Sequence, residues 1–328
     1  MTDVVTIGES MVLFQPFQGE SVRYAPLFTK TIAGAESNVA IGLTRLGHKA
    51  RWIGRVGNDP FGDLIVSTLG GEGVDISFVI KDLIAPTAVF FKEYRGIGAD
   101  PSIYYYRKGS AASGLSPKDV RKEWFEGARH LHVTGITPAL GSSAFEAIRY
   151  AMQLAREMGL MISYDPNLRR KLWSEEEARS KLTALIPYCD YFLPGIDEAE
   201  FLLGKQDLDE LGNEFLSMGP KVVVIKLGAE GSIAYTPYGT VAVEGVPVSQ
   251  VIDTVGAGDA FAVGFLSTLL KERNHGDLIA PHLEHLTQML RTANELGSLA
   301  VQFRGDWEGM PTCEEVQRLQ SGTVEVTR

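Results

Sequence analysis

The stretch VIDTVGAGDAFAVGFLSTLLKE, residues 251–272, decides how this chain is read. It opens on the turn Asp253-Thr254-Val255-Gly256-Ala257-Gly258-Asp259 and continues as an apolar segment long enough for about four helical turns. Two glycines and an alanine around a helix start let the backbone curl with its N–H groups pointing one way, making an anion site backed by the helix dipole. A phosphate fits there. Asp259, in the first helical turn, sets a carboxylate beside that site, where binding alone would not favour one. Such a group can accept the proton of a substrate hydroxyl while the N–H groups of Gly256, Ala257 and Gly258 stabilise a phosphoryl group in flight. The competing reading is a plain N-cap aspartate, with glycines that serve only helix–strand packing.

Outward from this turn, short apolar runs alternate with amphipathic stretches, the pattern of repeated βα units around a parallel sheet. Strands are predicted at residues 4–7, 50–56, 130–133, 161–164, 191–193 and 221–225, and helices at 37–46, 61–69, 142–158, 175–186, 197–203 and 208–218, with a last short helix at 312–319. Residues 11–32 and 87–107 break the rhythm: the latter holds AVFFKEY and SIYYYR, with little helical periodicity. Both read as extended hairpin-like pieces forming a second, small sheet over the main one.

The 328 residues carry 31 Lys and Arg against 41 Asp and Glu, a formal balance of −10. That surface argues against non-specific nucleic-acid binding, which needs clustered basic charge. With 45% apolar and 22% charged residues the composition is that of a globular protein. No run approaches the roughly 20 apolar residues that span a bilayer. MTDVVTIGES shows no basic region followed by a long apolar stretch, and Cys189 and Cys313 lack metal-like spacing, so a reducing, cytoplasmic setting is expected. An open, aromatic small sheet has edges that pair readily, and a homo-oligomer through that sheet is expected.

DTVGAGDAF, residues 253–261, resembles the C-terminal signature of the ribokinase-type (PfkB) carbohydrate kinases, and the resemblance extends over essentially the whole chain. Ala33-Gly34-Ala35-Glu36-Ser37-Asn38-Val39-Ala40 matches the family's N-terminal glycine motif, and RVGNDPFG (55–62) and VIKLGAEGS (224–232) follow in order. The resemblance implies an α/β fold: a Rossmann-like, mostly parallel sheet flanked by helices, with a small β-sheet lid built from about 12–33 and 87–108, all in one kinase domain. It also implies Asp259 as catalytic base, Gly256 to Gly258 as anion hole, and Gly34 and Asn38 at the substrate. ATP and Mg²⁺ are the implied cofactors, with a monovalent cation as an accessory ion. Glu198 would organise water around the magnesium. Lys226, Gly228 and Gly231 would lie near the ATP phosphates and ribose, and Asn294 near the adenine.

The substrate reading rests on the small sheet. IYYYRKGSAAS, residues 103–113, resembles the lid segment of the family's 2-keto-3-deoxygluconate kinases. On a strand Tyr105 and Arg107 share a face, and Arg169 in DPNLR follows a predicted strand at the end where open α/β sheets bind ligands. Guanidinium groups match carboxylates through paired N–H donors, so two arginines point to an acid sugar. Fructose and ribose kinases of the family usually carry Asp in a G-E-x-x-x-D pattern after the first strand; here Gly8-Glu9-Ser10-Met11-Val12-Leu13 puts Leu there. The family's departures are Ala33 for a glycine, phenylalanines in TAVFFKE, and Gly195 for the usual Asn before Glu198. The expected reaction is phosphorylation of the terminal primary hydroxyl of 2-keto-3-deoxygluconate. Fructose or another sugar, and a catalytically silent sugar-binding protein, are the alternatives. No G-x-G-x-x-G follows the first strand, which weighs against a dehydrogenase.

Overall fold

The computed structural model describes residues 2–18, 21–94, 101–271 and 282–321. In chain order its strands are β1 (Val4–Ile7), β2 (Met11–Pro16), β3 (Phe28–Ala33), β4 (Ala50–Ile53), β5 (Arg55–Gly57), β6 (Ile80–Asp82), β7 (Val89–Glu93), β8 (Ser102–Tyr106), β9 (His130–Thr134), β10 (Met161–Asp165), β11 (Tyr191–Phe192), β12 (Val222–Lys226), β13 (Gly231–Thr236) and β14 (Gly239–Glu244). The helices are α1 (Ala35–Arg45), α2 (Pro60–Gly71), α3 (Ser142–Glu157), α4 (Glu175–Leu185), α5 (Ile196–Leu203), α6 (Leu208–Ser217), α7 (Ala257–Lys271), α8 (Leu283–Ala300) and α9 (Cys313–Ser321).

The large sheet has eight strands in the order β14-β13-β12-β11-β10-β9-β1-β4, parallel from β12 through β4. Its parallel strands are buried on both faces, and alternation does the sorting. In β12, Val222 and Val224 face one core with α1, α7 and α8, whereas Val223 and Ile225 face another with α3, α4 and α6. Each such side chain contributes about 1.5–3 kcal/mol on burial. Helix α7 is buried from Asp259 to Leu270, as an apolar helix sandwiched between a sheet and another helix must be.

Every predicted strand and helix has a counterpart, with ends that agree or move by one or two residues outside the 50–56 run. The expected strand 50–56 divides at Gly54 into β4 and β5, because β5 leaves the large sheet to pair in parallel with β6. The hairpin β13–β14, antiparallel on the edge of the sheet, was not predicted. Its signal was present: β14 alternates half-buried and exposed positions, and Gly239 follows a Thr-Pro-Tyr turn.

The two segments that broke the βα rhythm form a separate four-stranded sheet, β3-β2-β7-β8. Met11, Leu13, Ala33, Ala88 and Phe90 make its small core against Ile103 and Tyr105. Tyr104 and Tyr106 project from the other face into solvent, so the period of two holds as expected. Residues 19–20 and 95–100 of the expected small-sheet segments lie outside the described residues.

Candidate active site

A cavity of about 950 Å³ lies over the C-terminal ends of the parallel strands, with Phe90, Ile103, Tyr105 and Arg107 of the small sheet facing it. Glu9 follows β1, Asp165 ends β10, Gly195 follows β11 and Lys226 ends β12, so the strand ends supply the charged floor.

The glycine turn closes one end. Gly256 has φ +87, and a Cβ there would stand 2.2 Å from the Asp306 carbonyl oxygen, so only glycine fits. At Gly258 the nearest atom to an added Cβ is the Lys226 ammonium nitrogen, 3.8 Å away, which leaves open space beside a cation at the start of α7. The first N–H groups of a helix have no intrahelical acceptor. Ala257 does not line the cavity, and its N–H points back to the Thr254 carbonyl at 3.4 Å. Among the described residues the open cradle is therefore Gly256, Gly258 and Lys226.

Asp259 sits one residue further on, 8% exposed. The Asn38 amide donates to its Oδ2 at 2.8 Å and that of Asn167 to its Oδ1 at 3.4 Å. Burial raises its pKa to about 6; the Asn38 hydrogen bond and the Arg169 charge oppose the rise, and Asp165 and Asp306 add to it. A carboxylate tuned this way is ionised at neutral pH yet basic enough to take a proton. Asn38 is held in turn, its Oδ1 accepting from the Gly34 N–H at 3.4 Å. At Gly34 an added Cβ would lie 2.1 Å from the Glu9 carbonyl oxygen, so the strand–helix junction tolerates no side chain.

The floor is an interlocked charge cluster. Lys226 donates to Asp165 Oδ2 at 2.7 Å, and although burial pulls its pKa down, Asp165 and Glu198 together hold it above the ordinary value. Glu198 accepts the backbone N–H groups of Leu168 at 2.6 Å and Gly195 at 2.7 Å, which pins the 165–169 loop to the start of α5. Burial raises its carboxyl, with Lys226 opposing. In the same loop Asn167 adopts φ +36, a left-handed conformation uncommon outside glycine. Among the described residues no group of three or more His, Cys, Asp or Glu side chains could hold a metal by itself. Asp165 and Glu198 have their oxygens engaged by N–H donors, which fits a Mg²⁺ carried chiefly by phosphates and water.

At the small-sheet end, Tyr105 stacks on Phe90 with ring centroids 5.6 Å apart, and the Arg107 guanidinium lies 5.2 Å from the Tyr105 centroid. Arg107 is buried and donates from Nη2 to Glu9, a carboxylate whose pKa burial raises and Arg107 opposes; Ser110 donates to the same group at 3.3 Å. Glu9 was not singled out from the sequence as a site residue. The Arg107 Nε is buried with no hydrogen-bond acceptor among the described residues, and Arg169, also on the cavity, makes no ion pair among them. Leu13 is fully buried in the small-sheet core, so the position of the missing aspartate is apolar.

Gly34, Asn38, Tyr105, Arg107, Arg169, Glu198, Lys226, Gly228, Gly256, Gly258 and Asp259 thus meet on one cavity. Gly231 and Asn294 do not line it. The Asn294 amide donates to the Val243 and Glu244 carbonyls, both at 3.1 Å, and accepts from the Ser232 hydroxyl at 3.0 Å, so its capacity is spent fastening the β13–β14 hairpin to α8. Gly231 (φ +106) abuts the Val243 carbonyl in that hairpin. A second cavity of about 310 Å³ opens beside it, lined by Val246, Pro247, Leu296, Leu299 and Val316 with a few polar neighbours.

An open helix start beside a lysine, a buried carboxylate with a raised pKa next to it and a cavity of about 950 Å³ are what a phosphotransferase acting on a small hydroxyl compound requires. The sequence profile of the pfkB family carbohydrate kinases matches residues 1–313, and this chain belongs to that family. It is 40% identical over 316 residues to 2-dehydro-3-deoxygluconokinase of Bacillus subtilis (strain 168), covering 96% of this chain and 94% of that protein. It is 34% identical over 327 residues to probable fructokinase-7 of Arabidopsis thaliana, covering 98% and 93%. The fold matches the PfkB protein of Polaromonas sp. JS666 at a TM-score of 0.85 and 37% identity, over 97% of this chain and 99% of that one. It also matches a putative ribokinase II of E. coli in complex with ATP and Mg²⁺ at a TM-score of 0.86 and 27% identity, over 98% and 100%.

Proposed function

We propose that this chain transfers the γ-phosphoryl group of ATP to the terminal primary hydroxyl of 2-keto-3-deoxygluconate, giving the 6-phosphate. One observation carries the substrate: two guanidinium groups line the cavity with donors still open, Arg107, whose Nε has no acceptor although its Nη2 holds Glu9, and Arg169, whose charge acts on Asp259 but which makes no ion pair among the described residues. Open, paired guanidinium donors suit an anionic substrate. The 40% identical Bacillus relative bears a name for this activity, and the fructokinase relative keeps fructose as the second reading. Fructose would leave Arg169 facing a neutral hydroxyl.

In this reading Asp259 takes the hydroxyl proton, while the Gly256 and Gly258 backbone and the Lys226 ammonium receive the phosphoryl group. The Asn38 amide engages Asp259 Oδ2 at 2.8 Å and leaves Oδ1, with only the longer 3.4 Å contact from Asn167, to take the proton. Asp165 and Glu198 would hold the waters of a bound Mg²⁺, which would supply neutralisation of the phosphate charge. The triphosphate runs past Gly228, whose turn touches Gly245 through the Ala229 carbonyl, toward the apolar cavity at Val246 and Leu296, where a flat base fits. The small sheet excludes water from the transfer and limits ATP hydrolysis. Its outer face, with Tyr106 66% exposed, pairs with a second copy of the chain. The described residues contain no helix long and apolar enough to cross a membrane, and Cys189 and Cys313 are free thiols, in keeping with a cytoplasmic enzyme. A coupled ADP-release assay over sugars and sugar acids tests the reading: acid-dependent release supports it, and release with fructose alone refutes the acid assignment.

A further inference from the structure

Lys92 lies on β7 of the small sheet and is 0% exposed. An ammonium with no access to water is retained only where carboxylates receive it. Its Nζ is 2.5 Å from Asp253 Oδ2 and 3.3 Å from Asp306 Oδ1. These two partners hold the glycine turn, one from its start and one from behind Gly256. Asp253 opens the glycine turn: its Oδ1 accepts the Val255 N–H at 3.1 Å, and its Oδ2 also accepts from the Tyr94 hydroxyl and from the Gly305 N–H at 3.3 Å. Asp306 supplies the carbonyl oxygen against which Gly256 packs. Two residues before Lys92, Phe90 lines the sugar end of the cavity.

We propose that Lys92 is a positioning residue, a tethered cation that sets the shape of the 253–258 turn and transmits the position of the small sheet to the phosphate cradle. Without it, two adjacent carboxylates would face each other and the incoming triphosphate across the turn. With it, the strand that covers the sugar and the turn that receives the phosphoryl group share one buried ion cluster. A tether of this kind acts on transfer more than on sugar affinity, because Lys92 itself does not line the cavity.

The proposal rests on the kinase reading, and a parental enzyme that phosphorylates no sugar would refute that reading before any variant is measured. The variants are then assayed with whichever sugar the parent uses. Lys92→Ala leaves space for a small cation; kcat is expected to fall at least about tenfold, with the sugar KM within about threefold. Ammonium or n-propylamine is expected to recover kcat severalfold in Lys92→Ala and to leave the parent unchanged. An equal response of parent and variant to the amine would overturn the tethered-cation role. Lys92→Met/Asp253→Asn removes the ammonium and the nearer of its two carboxylates, leaves Asp306, keeps an acceptor for the Val255 N–H, and is read alone if the single variant does not fold. The double variant, melting as the parent does, is expected to lose kcat by at least about tenfold; parental kcat in it would show that the ammonium only balances a charge, and would overturn the proposal.

Discussion

Replacing Asp259 by Asn separates the chemistry of the base from its place in the fold. The folded carboxyl has its pKa raised from 3.8 to about 6, with burial as the first cause. A raised acid pKa means the ionised form is costly in the folded state: the cost is absent below the unfolded pKa, grows as pH rises toward 6, and stays constant above. A shift of about two units corresponds to about 3 kcal/mol at neutral pH. Asn removes that cost. Its carbonyl still accepts the 2.8 Å bond from Asn38, and only the longer 3.4 Å bond from Asn167 is lost, about 0.5–1.5 kcal/mol. The variant should therefore melt at or a few degrees above the parent at pH 7, a gain that vanishes near pH 4. Turnover in the coupled ADP-release assay should fall by about 10²–10⁴, the ordinary worth of a positioned base. Parental kcat should itself decline below about pH 6 as Asp259 takes a proton. Turnover above roughly a third of the parental value would refute the assignment, and a variant that is inactive because it has lost stability would refute the energetic reasoning.

Arg169→Ala should raise KM for the sugar acid at least about tenfold while KM for ATP stays within about threefold, as steady-state kinetics will read. Arg107→Ala should cost about 3–5 kcal/mol of stability by leaving Glu9 buried without its partner, and Glu9→Gln in the same chain should restore most of the melting temperature. Gly256→Ala should abolish most turnover and destabilise by about 1–3 kcal/mol, since the turn combines φ +87 with a 2.2 Å approach to Asp306. Asn294→Ala should lower stability by about 1–3 kcal/mol with KM for ATP unchanged within threefold; a large rise in that KM would restore a nucleotide contact.

What the sequence made readable was local. The short apolar run of β12, the Gly-Ala-Gly-Asp turn before an apolar helix, and the period of two that puts Tyr105 and Arg107 on one face all act over a few residues, and each reappears in the structure. What it hid was long-range pairing. Glu9 meets Arg107 across 98 positions and Lys92 meets Asp253 across 161, and no spacing rule announces such partners. Lys92 in particular sits in an apolar run, where a lysine reads as a surface residue until burial shows otherwise. Asn294 shows the same limit: its sequence context does not reveal that three groups of the adjacent hairpin already bond its amide. The 50–56 run misled because a strand can change sheets at a glycine without any change in hydrophobic pattern.

The central claim is that the chain phosphorylates a sugar acid rather than a neutral sugar. Offering the enzyme equal amounts of 2-keto-3-deoxygluconate and fructose with limiting Mg-ATP, and resolving the products by phosphorus NMR, tests it most directly. The account predicts that the phosphate appears on the acid at its terminal carbon, with at least about a hundredfold preference, the worth of one well-formed charge-assisted contact. Phosphate found chiefly on fructose would contradict it.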